Sequence, residues 1–284
     1  MSESITRNSP PEFLESVLWS CDQPLPVRKD SNRPYVTLTF AQSLDGKIAG
    51  KGGKQLILSG KESMVMTHWM RSMHDGILIG IGTALNDDPQ LNTRHLPVTA
   101  HRVSPRPIIL DSNLRLGLEC KLLKNYRQGS AMQPWVVCSP LHAEDRDRFG
   151  RKEALEKAGA KIVEVPSHND LISIGDLLPK LYNLGIGTLM VEGGSSIIAS
   201  FLAEMSRTCD HNTHHAVDML IITVAPTLVG DDGIGYGLGG KGVRVSLAPS
   251  PRVGSESDCT QISSLHHVHT ELMGRDTVFA CKLL

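Results

Sequence analysis

Hydrophobic residues along this chain fall into short dense runs, separated by stretches in which they recur every three or four positions. From Tyr35 the run YVTLTFAQ is β-branched and aromatic, and Asp45-Gly46 after it is turn chemistry leading into a short strand, Lys47 to Ala49. Ser59 followed by Glu62 has the spacing of a capping box, and Met66, Met70 and Met73 then repeat on one helical face until Asp75-Gly76. The next run, ILIGI at Ile77 to Ile81, is apolar without alternation, which predicts a central strand covered on both faces. Pro107 to Leu110, Trp135 to Cys138, Lys161 to Val165 and Thr188 to Val191 are further strands. Helical patterns occupy Ala143 to Ala158, about Ser173 to Leu184, and Ser195 to Glu204. This alternation predicts a three-layer α/β sandwich with a mostly parallel central sheet and right-handed crossovers. Val217 to Ala225, Gln261 to Thr270 and Asp276 to Leu283 follow with only loop between them and Gly274 in a hairpin-like turn, so the sheet is expected to finish antiparallel.

Residues 1–33 are interrupted by Pro10, Pro11, Pro24 and Pro26, and only Glu12 to Ser20 has room for a short helix. They are expected to form an N-terminal arm on one domain, 34–284. Met205 to Ala216 and Gly230 to Asp258 are polar or rich in Gly and Pro and are the expected insert-like loops.

Composition narrows the function classes. The 284 residues are 40% apolar and 21% charged, with 29 basic and 30 acidic side chains and a formal net charge of -1, which describes a folded chain able to bury a large core. A nucleic-acid binder would need a clustered basic excess, and none occurs. The basic cluster Arg146 to Lys152 alternates with Asp145, Asp147 and Glu153 and is expected to be a solvated helix face. Six scattered cysteines without a C-x-x-C pair, no apolar run near 18 residues and no signal-like N-terminus point to a reducing, cytoplasmic setting away from membranes.

Two segments hold the candidate chemistry. Gly80 to Arg94, GIGTALNDDPQLNTR, is expected to be a polar loop leaving the C-terminal end of a buried strand, where α/β proteins bind ligands. Gly80 and Gly82 would let a ligand approach the backbone, Thr83 and Asp87 could hold ribose or amide groups, and Arg94 could pair with an anion. Leu189 to Ile198, LMVEGGSSII, reads as a strand, Glu192, two glycines and a helix beginning with Ser195 and Ser196. The free N–H groups of such a helix start suit a pyrophosphate. Glu192 is either a polar stop to the sheet or a ligand-facing acid.

Other signals are weaker. Gly235 to Gly242 has phosphate-loop spacing, but Gly242 stands where a hydroxyl is needed and Pro249 where a helix should run. Cys209, His211, His214 and His215 lack a second cluster to complete a metal site. His269-Thr270-Glu271 matches half of a zinc-deaminase signature without its cysteine half. No G-x-S-x-G or H-E-x-x-H motif is present, which leaves hydrolysis without a nucleophile or metal. Hydride chemistry borrowed from a bound dinucleotide requires neither.

Taken in order, AQSLDGKIA at Ala41 to Ala49, MRSMHDGILIGIGTALNDDPQLNTR, RPIILD at Arg106 to Asp111, LMVEGGSSII, and VAPTLVG at Val224 to Gly230 closely resemble the riboflavin-pathway pyrimidine reductases, over about Tyr35 to Leu284. The length, without a deaminase half, is most similar to the single-function reductases of fungi and archaea. The resemblance implies a dihydrofolate reductase-like fold, a homodimer, and reduction of a phosphorylated ribosylaminopyrimidine to its ribityl amine with NADPH as hydride donor. It implies that Thr83, Asp87 and Gly82 touch the cofactor, and that Glu192, Gly193, Gly194, Ser195 and Ser196 line its nicotinamide and pyrophosphate. Arg71, Leu91 and Arg94 match substrate-contacting positions, both arginines being placed for the ribose phosphate, and Lys47 matches a position that handles the ribosyl group. Glu192 and Lys47 are the catalytic candidates, one for stabilising a developing cation and the other for orienting a sugar hydroxyl or assisting ring opening. Where bacterial members carry an aromatic residue before the helix, this chain has Gln55-Leu56-Ile57-Leu58.

Two alternatives share parts of this pattern: a dihydrofolate-type reductase and a non-catalytic dinucleotide-binding regulator. The phosphate-directed arginines disfavour folate, and Lys47 and Glu192 are more than binding alone requires. NADPH and NADH are not separated, because no basic pair stands at a ribose 2′-phosphate position identifiable from sequence.

Overall fold

A computed structural model describes residues 9–19, 32–97, 104–168, 171–206, 216–236 and 265–283. In chain order these form α1 (Glu12–Val17), β1 (Tyr35–Ser43), β2 (Lys47–Ala49), α2 (Lys61–Ser72), β3 (Gly76–Gly80), α3 (Ile81–Asp87), β4 (Arg106–Leu110), α4 (Lys121–Arg127), β5 (Trp135–Cys138) and α5 (Arg146–Lys157). They continue with β6 (Lys161–Glu164), β7 (Ser167–His168), β8 (Leu171–Ile172), α6 (Ile174–Asn183), β9 (Thr188–Glu192), α7 (Ser195–Ser206), β10 (Met219–Ala225), β11 (Ile234–Gly235), β12 (Leu265–Met273) and β13 (Asp276–Leu283).

The central sheet has the order β12-β13-β10-β1-β9-β3-β4-β5-β6 among the described residues. From β10 to β6 neighbouring strands run parallel, whereas β13 joins β10 antiparallel and closes with β12 as a hairpin. The expected α/β sandwich with an antiparallel finish is therefore the fold observed. Gly274 turns the hairpin at φ +65°, a conformation that costs glycine little.

Alternation along each strand sorts side chains into two layers. Leu78 points into a core with Val36, Leu38, Val191, Leu177 and Phe201, which α6 and α7 cover. Its neighbours Ile77 and Ile79 point oppositely, toward Ile81, Leu122, Leu123 and Leu155 from α3, α4 and α5. Met66, Met70 and Met73 pack on that second face with Met190, Met219 and Ile221. Each of these fully covered aliphatic side chains contributes about 1.5–3 kcal/mol of burial. Before β1, α1 and the two residues after it bring Phe13, Leu14, Val17 and Trp19 into the same cluster, and Trp19 lies edge-on to Tyr35 and His74.

Several local expectations are corrected. The Ser59–Glu62 capping box does not form. The N-cap of α2 is Gly60, and Asp276 at the start of β13 supplies the missing acceptor, taking Gly60 N and Ser63 Oγ at 2.6 Å each. A tertiary carboxylate has replaced the local one. The segment expected as a loop after β3 opens as α3, so Ile81 starts a helix instead of ending a strand. Helix α4 has no counterpart in the sequence pattern, because it buries just Leu122 and Leu123. The basic cluster of α5 is only partly solvated: Arg148 donates to the carbonyls of Ser112, Ser139 and Pro140, and Arg151 to those of Leu114 and Leu116. These two arginines tie α5 to the segment after β4. The cluster Cys209, His211, His214 and His215, and most of the glycine-rich run from Gly235, lie outside the described residues.

Candidate active site

A cavity of about 950 Å³ opens at the C-terminal ends of β1, β9, β3 and β4. That is the upper end of the roughly 300–1,000 Å³ typical of ligand pockets. Its floor is made where α3 and α7 approach one another. A Cβ on Gly80 would lie 2.7 Å from Ile197 Cγ1, and one on Gly194 would lie 2.9 Å from Thr83 Oγ1. Glycine at both positions is what allows the two helices to start side by side. Gly194 O accepts the Ile197 and Ile198 amides and so caps α7. The N–H groups of Ser195 and Ser196, one turn too early for an intrahelical partner, face outward at the positive end of a 12-residue helix.

Glu192 ends β9 on this wall and meets Arg71 from the last turn of α2. Arg71 Nε donates to Glu192 Oε1 at 2.8 Å and an Arg71 Nη to Oε2 at 2.7 Å, a two-pronged pair joining residues 121 positions apart. The other Arg71 Nη reaches Asn92 O at 3.3 Å. Burial would push the Arg71 guanidinium down, but the Glu192 carboxylate outweighs it and holds it above its ordinary value. Arg94 is shifted the other way, by partial burial and then by the charge of Arg71. The charge of Glu192 pulls the other way, and the exposed Arg94 guanidinium is within reach of an incoming anion.

The Arg94 loop is held from beneath. Arg94 N donates to His68 Nδ1 at 3.2 Å, so His68 is neutral with its proton on Nε2. Burial, then the charges of Arg71 and Arg94, lower its pKa to about 3. Leu91, three residues before Arg94, is buried at φ +49°, a rare conformation for a branched side chain and a local strain in the cavity wall.

Outside the cavity lining, at the turn before β2, the first and last sequence motifs meet. Asp45 accepts Gly230 N at 2.7 Å, Val229 N at 3.1 Å and Ser43 Oγ at 2.5 Å. The Ser43 bond and the backbone donors hold the Asp45 carboxyl at about 2. The loop before β11 is thereby fixed to the turn before β2.

Among the residues singled out from sequence, Arg71, Gly82, Thr83, Asp87, Leu91, Arg94, Glu192, Gly193, Gly194, Ser195 and Ser196 all line the cavity. Lys47 does not. It lies on β2, packed where a Cβ on Gly233 would touch its Cγ, while its neighbours Ile48 and Ala49 reach the wall. Arg71, expected at the ribose phosphate, has its guanidinium fork engaged by Glu192. Gln55, Leu56 and Leu58 border the cavity, whereas Ile57 is 84% exposed. Sequence reading missed Ser112, Arg115 and Lys121, which border it beyond the end of β4. Among the described residues there is no cluster of potential metal ligands, and no helix is long and apolar enough to cross a membrane.

A parallel sheet finished by an antiparallel hairpin, with its polar cavity at the strand ends between two helix starts, places the molecule in the dihydrofolate reductase-like α/β class. Within it, the chain belongs to the RibD C-terminal domain family, whose pattern matches residues 34–262. It is 38% identical over 211 residues to the 2,5-diamino-6-ribosylamino-4(3H)-pyrimidinone 5′-phosphate reductase of Debaryomyces hansenii, covering 73% of this chain and 81% of that one. The structure of the riboflavin biosynthesis reductase Rib7 of Saccharomyces cerevisiae superposes with a TM-score of 0.66 at 27% identity, covering 96% of this chain and 99% of that one. The RibD structure of Acinetobacter baumannii shares the fold, with a TM-score of 0.66 at 22% identity over 89% of this chain and 59% of that one.

Proposed function

We propose that this chain reduces the ribosylamino group of 2,5-diamino-6-ribosylamino-4(3H)-pyrimidinone 5′-phosphate to the ribitylamino group, a step of riboflavin biosynthesis, with NADPH as the donor. The observation that carries this reading is the Arg71–Glu192 pair in the cavity wall, next to a helix start and glycine floor suited to a dinucleotide. Glycine at positions 80 and 194 lets α3 and α7 start side by side, which brings the unpaired amides at the start of α7 to the cavity, where a pyrophosphate would fit. A reduced nicotinamide bound there supplies a hydride.

The residues do the rest. Backbone amides of Ser195 and Ser196 hold the pyrophosphate, with Gly193 and Gly194 giving it close approach and Gly82, Thr83 and Asp87 bordering the same ligand. The open-chain form of a ribosylamine is an imine, and protonation on nitrogen makes its carbon the hydride acceptor. Glu192, oriented by Arg71, stabilises that cation. Arg94 takes the 5′-phosphate, and Leu91 gives the pyrimidine an apolar wall. Because Arg71 is occupied by Glu192, its part is to position the carboxylate, and phosphate recognition falls mainly to Arg94. Lys47, off the wall, is the weaker catalytic candidate and acts through the sugar hydroxyls if at all. In this reading residues 34–284 form the reductase domain, 1–33 an arm, and the enzyme works as a cytoplasmic homodimer.

The test is steady-state oxidation of NADPH by the purified chain with the ribosylaminopyrimidine phosphate, with dihydrofolate, and with neither. Oxidation with the first alone supports the proposal. Oxidation with dihydrofolate makes the chain a folate reductase, and cofactor binding without oxidation makes it a dinucleotide-binding regulator.

A further inference from the structure

Two side chains on one face of α2 reach the loop that carries Arg94. His68 and Arg71 stand three positions apart and so lie on the same side of the helix. Arg71 donates to Asn92 O at 3.3 Å, and His68 Nδ1 accepts Arg94 N at 3.2 Å. Arg71 is also the partner of Glu192. Helix α2 therefore links the carboxylate at the end of β9 to the cation of the loop, and the spacing between them is set through two neighbouring side chains.

The loop does not take this shape unaided. Asp88, Leu91 and His95 lie at φ +41°, +49° and +61°, three of the four non-glycine residues with positive φ among the described residues. Such conformations persist only where the surroundings impose them. Thr93 is fixed by Ser104, with 3.0 Å between the hydroxyls, and Asp88 by Lys121 N at 2.9 Å. Neither of these contacts touches Arg94. Arg94 is held through its amide by His68, and its guanidinium is turned by Asn92 Oδ1 at 3.1 Å. The next residue, His95, packs its ring against His68 with centroids 5.0 Å apart and planes at 67°.

We propose that His68 is a positioning residue for phosphate recognition: through the Arg94 amide and the His95 ring it holds the Arg94 loop at a fixed reach from the Arg71–Glu192 pair, so that one substrate spans both. The inference rests on the assignment of the 5′-phosphate to Arg94 made above. His68 serves in this way only while neutral, because a protonated Nδ1 has no lone pair for the amide. Its surroundings keep it so. Burial comes first, the charges of Arg71, Arg94 and His95 add to it, and only the Asn92 carbonyl favours the protonated ring, which leaves the pKa at about 3.

Steady-state kinetics of the full chain, together with amide hydrogen exchange of residues 88–97 read by mass spectrometry, test this. Asparagine at position 68 offers an amide oxygen where Nδ1 stands, glutamine carries its amide further out, and leucine offers no acceptor. His68→Leu and His68→Gln should raise KM for the phosphorylated substrate by about tenfold, with kcat and the KM for NADPH within about threefold of wild type. Exchange in the loop should speed up by about tenfold in both. His68→Asn should stay within about threefold of wild type in every one of these measurements. In an Arg94→Ala background, His68→Leu should change KM by no more than about twofold, because the two residues act through one contact. Wild-type KM in His68→Gln and His68→Leu overturns the inference, as does a tenfold rise in His68→Asn or a full effect of His68→Leu without the Arg94 side chain. The reductase reading fails separately. If the pyrimidine drives no NADPH oxidation in the wild type, the substrate assignment falls, and loop exchange alone judges His68: unchanged exchange in His68→Gln overturns its role, and faster exchange there with wild-type exchange in His68→Asn supports it.

Discussion

Both ends of the parallel sheet carry a two-pronged arginine–carboxylate pair, and the two differ in what surrounds them. At the N-terminal end, Arg33 grips Asp218 at 2.7 and 3.0 Å, and Asp218 also takes Val36 N at 2.8 Å. Those side chains are 9% and 3% exposed. Nearby, Asp75 accepts Gly187 N, Thr188 N and Thr188 Oγ1, pinning the start of β9. At the C-terminal end the Arg71–Glu192 pair has equally good geometry, but its side chains are 12% and 22% exposed on a cavity wall. The same chemistry thus joins strand starts at one end and presents an oriented carboxylate at the other. What separates the two pairs is backbone engagement: Asp218 closes onto the main chain, whereas among the described residues both Glu192 oxygens accept from Arg71.

Substitutions at the two ends should therefore fail in different ways. Asp218→Asn breaks a buried pair and should cost about 3–5 kcal/mol of unfolding free energy, read by urea denaturation, with little change in turnover of the folded fraction. Glu192→Gln should lower kcat by about 100-fold, the scale of losing a preorganised charge stabiliser, while the thermal midpoint stays within about 4 °C of wild type. Wild-type turnover in that variant would make Glu192 a second structural pair. Arg94→Ala should raise KM for the phosphorylated substrate by about tenfold or more and leave the dephosphorylated form nearly unaffected, in parallel kinetic titrations. Equal effects on both substrates would remove Arg94 from phosphate recognition.

The smallest effect concerns pH and again divides the two ends. His74 is sealed beneath Trp19, with Nδ1 donating to Met70 O and Nε2 accepting from Thr37 Oγ1, and burial lowers its pKa to about 4. His68, under the cavity, is lowered to about 3. A histidine whose folded pKa lies below its unfolded value of about 6.5 leaves the unfolded state binding more protons, so stability falls as pH drops below about 6.5. The fall should continue toward pH 4 for His74 and pH 3 for His68. Denaturation midpoints between pH 7 and 4 should drop less in His68→Asn than in the wild type, and an identical slope would show that His68 takes up its proton in the fold as readily as in the unfolded chain.

How far these ends could be read from sequence depends on the range of the interactions. Trp135–Cys138 and Asp276–Leu283 match their predicted bounds, since unbroken apolar runs and a Gly274 turn are local signals. The residues of α3 were recognised as site-forming but not as helical, because Gly, Thr, Asn and Asp have poor helix propensity and its start is set by packing against α7. The capping box does not form; Asp276, 216 positions from Gly60, takes the N-cap amide in place of the local carboxylate of Glu62. Glu192 and Arg71 were each singled out, yet their pairing was invisible, as was Asp218 with Arg33, 185 positions away. Arg115 and Lys121 gave no signal because a cation in a connecting loop looks like any solvated surface charge until the fold places it on the cavity wall.

The central claim is that the Glu192 end of the cavity is where hydride reaches the sugar carbon. A single-turnover reaction with nicotinamide deuterated at C4 on the transferring face, analysed by mass spectrometry, tests it most directly. One deuterium should appear on the former anomeric carbon of the ribitylamino product in the wild type, and its appearance should slow by about 100-fold in Glu192→Gln. A product without deuterium at that carbon, or transfer at the same rate in both proteins, would contradict the account.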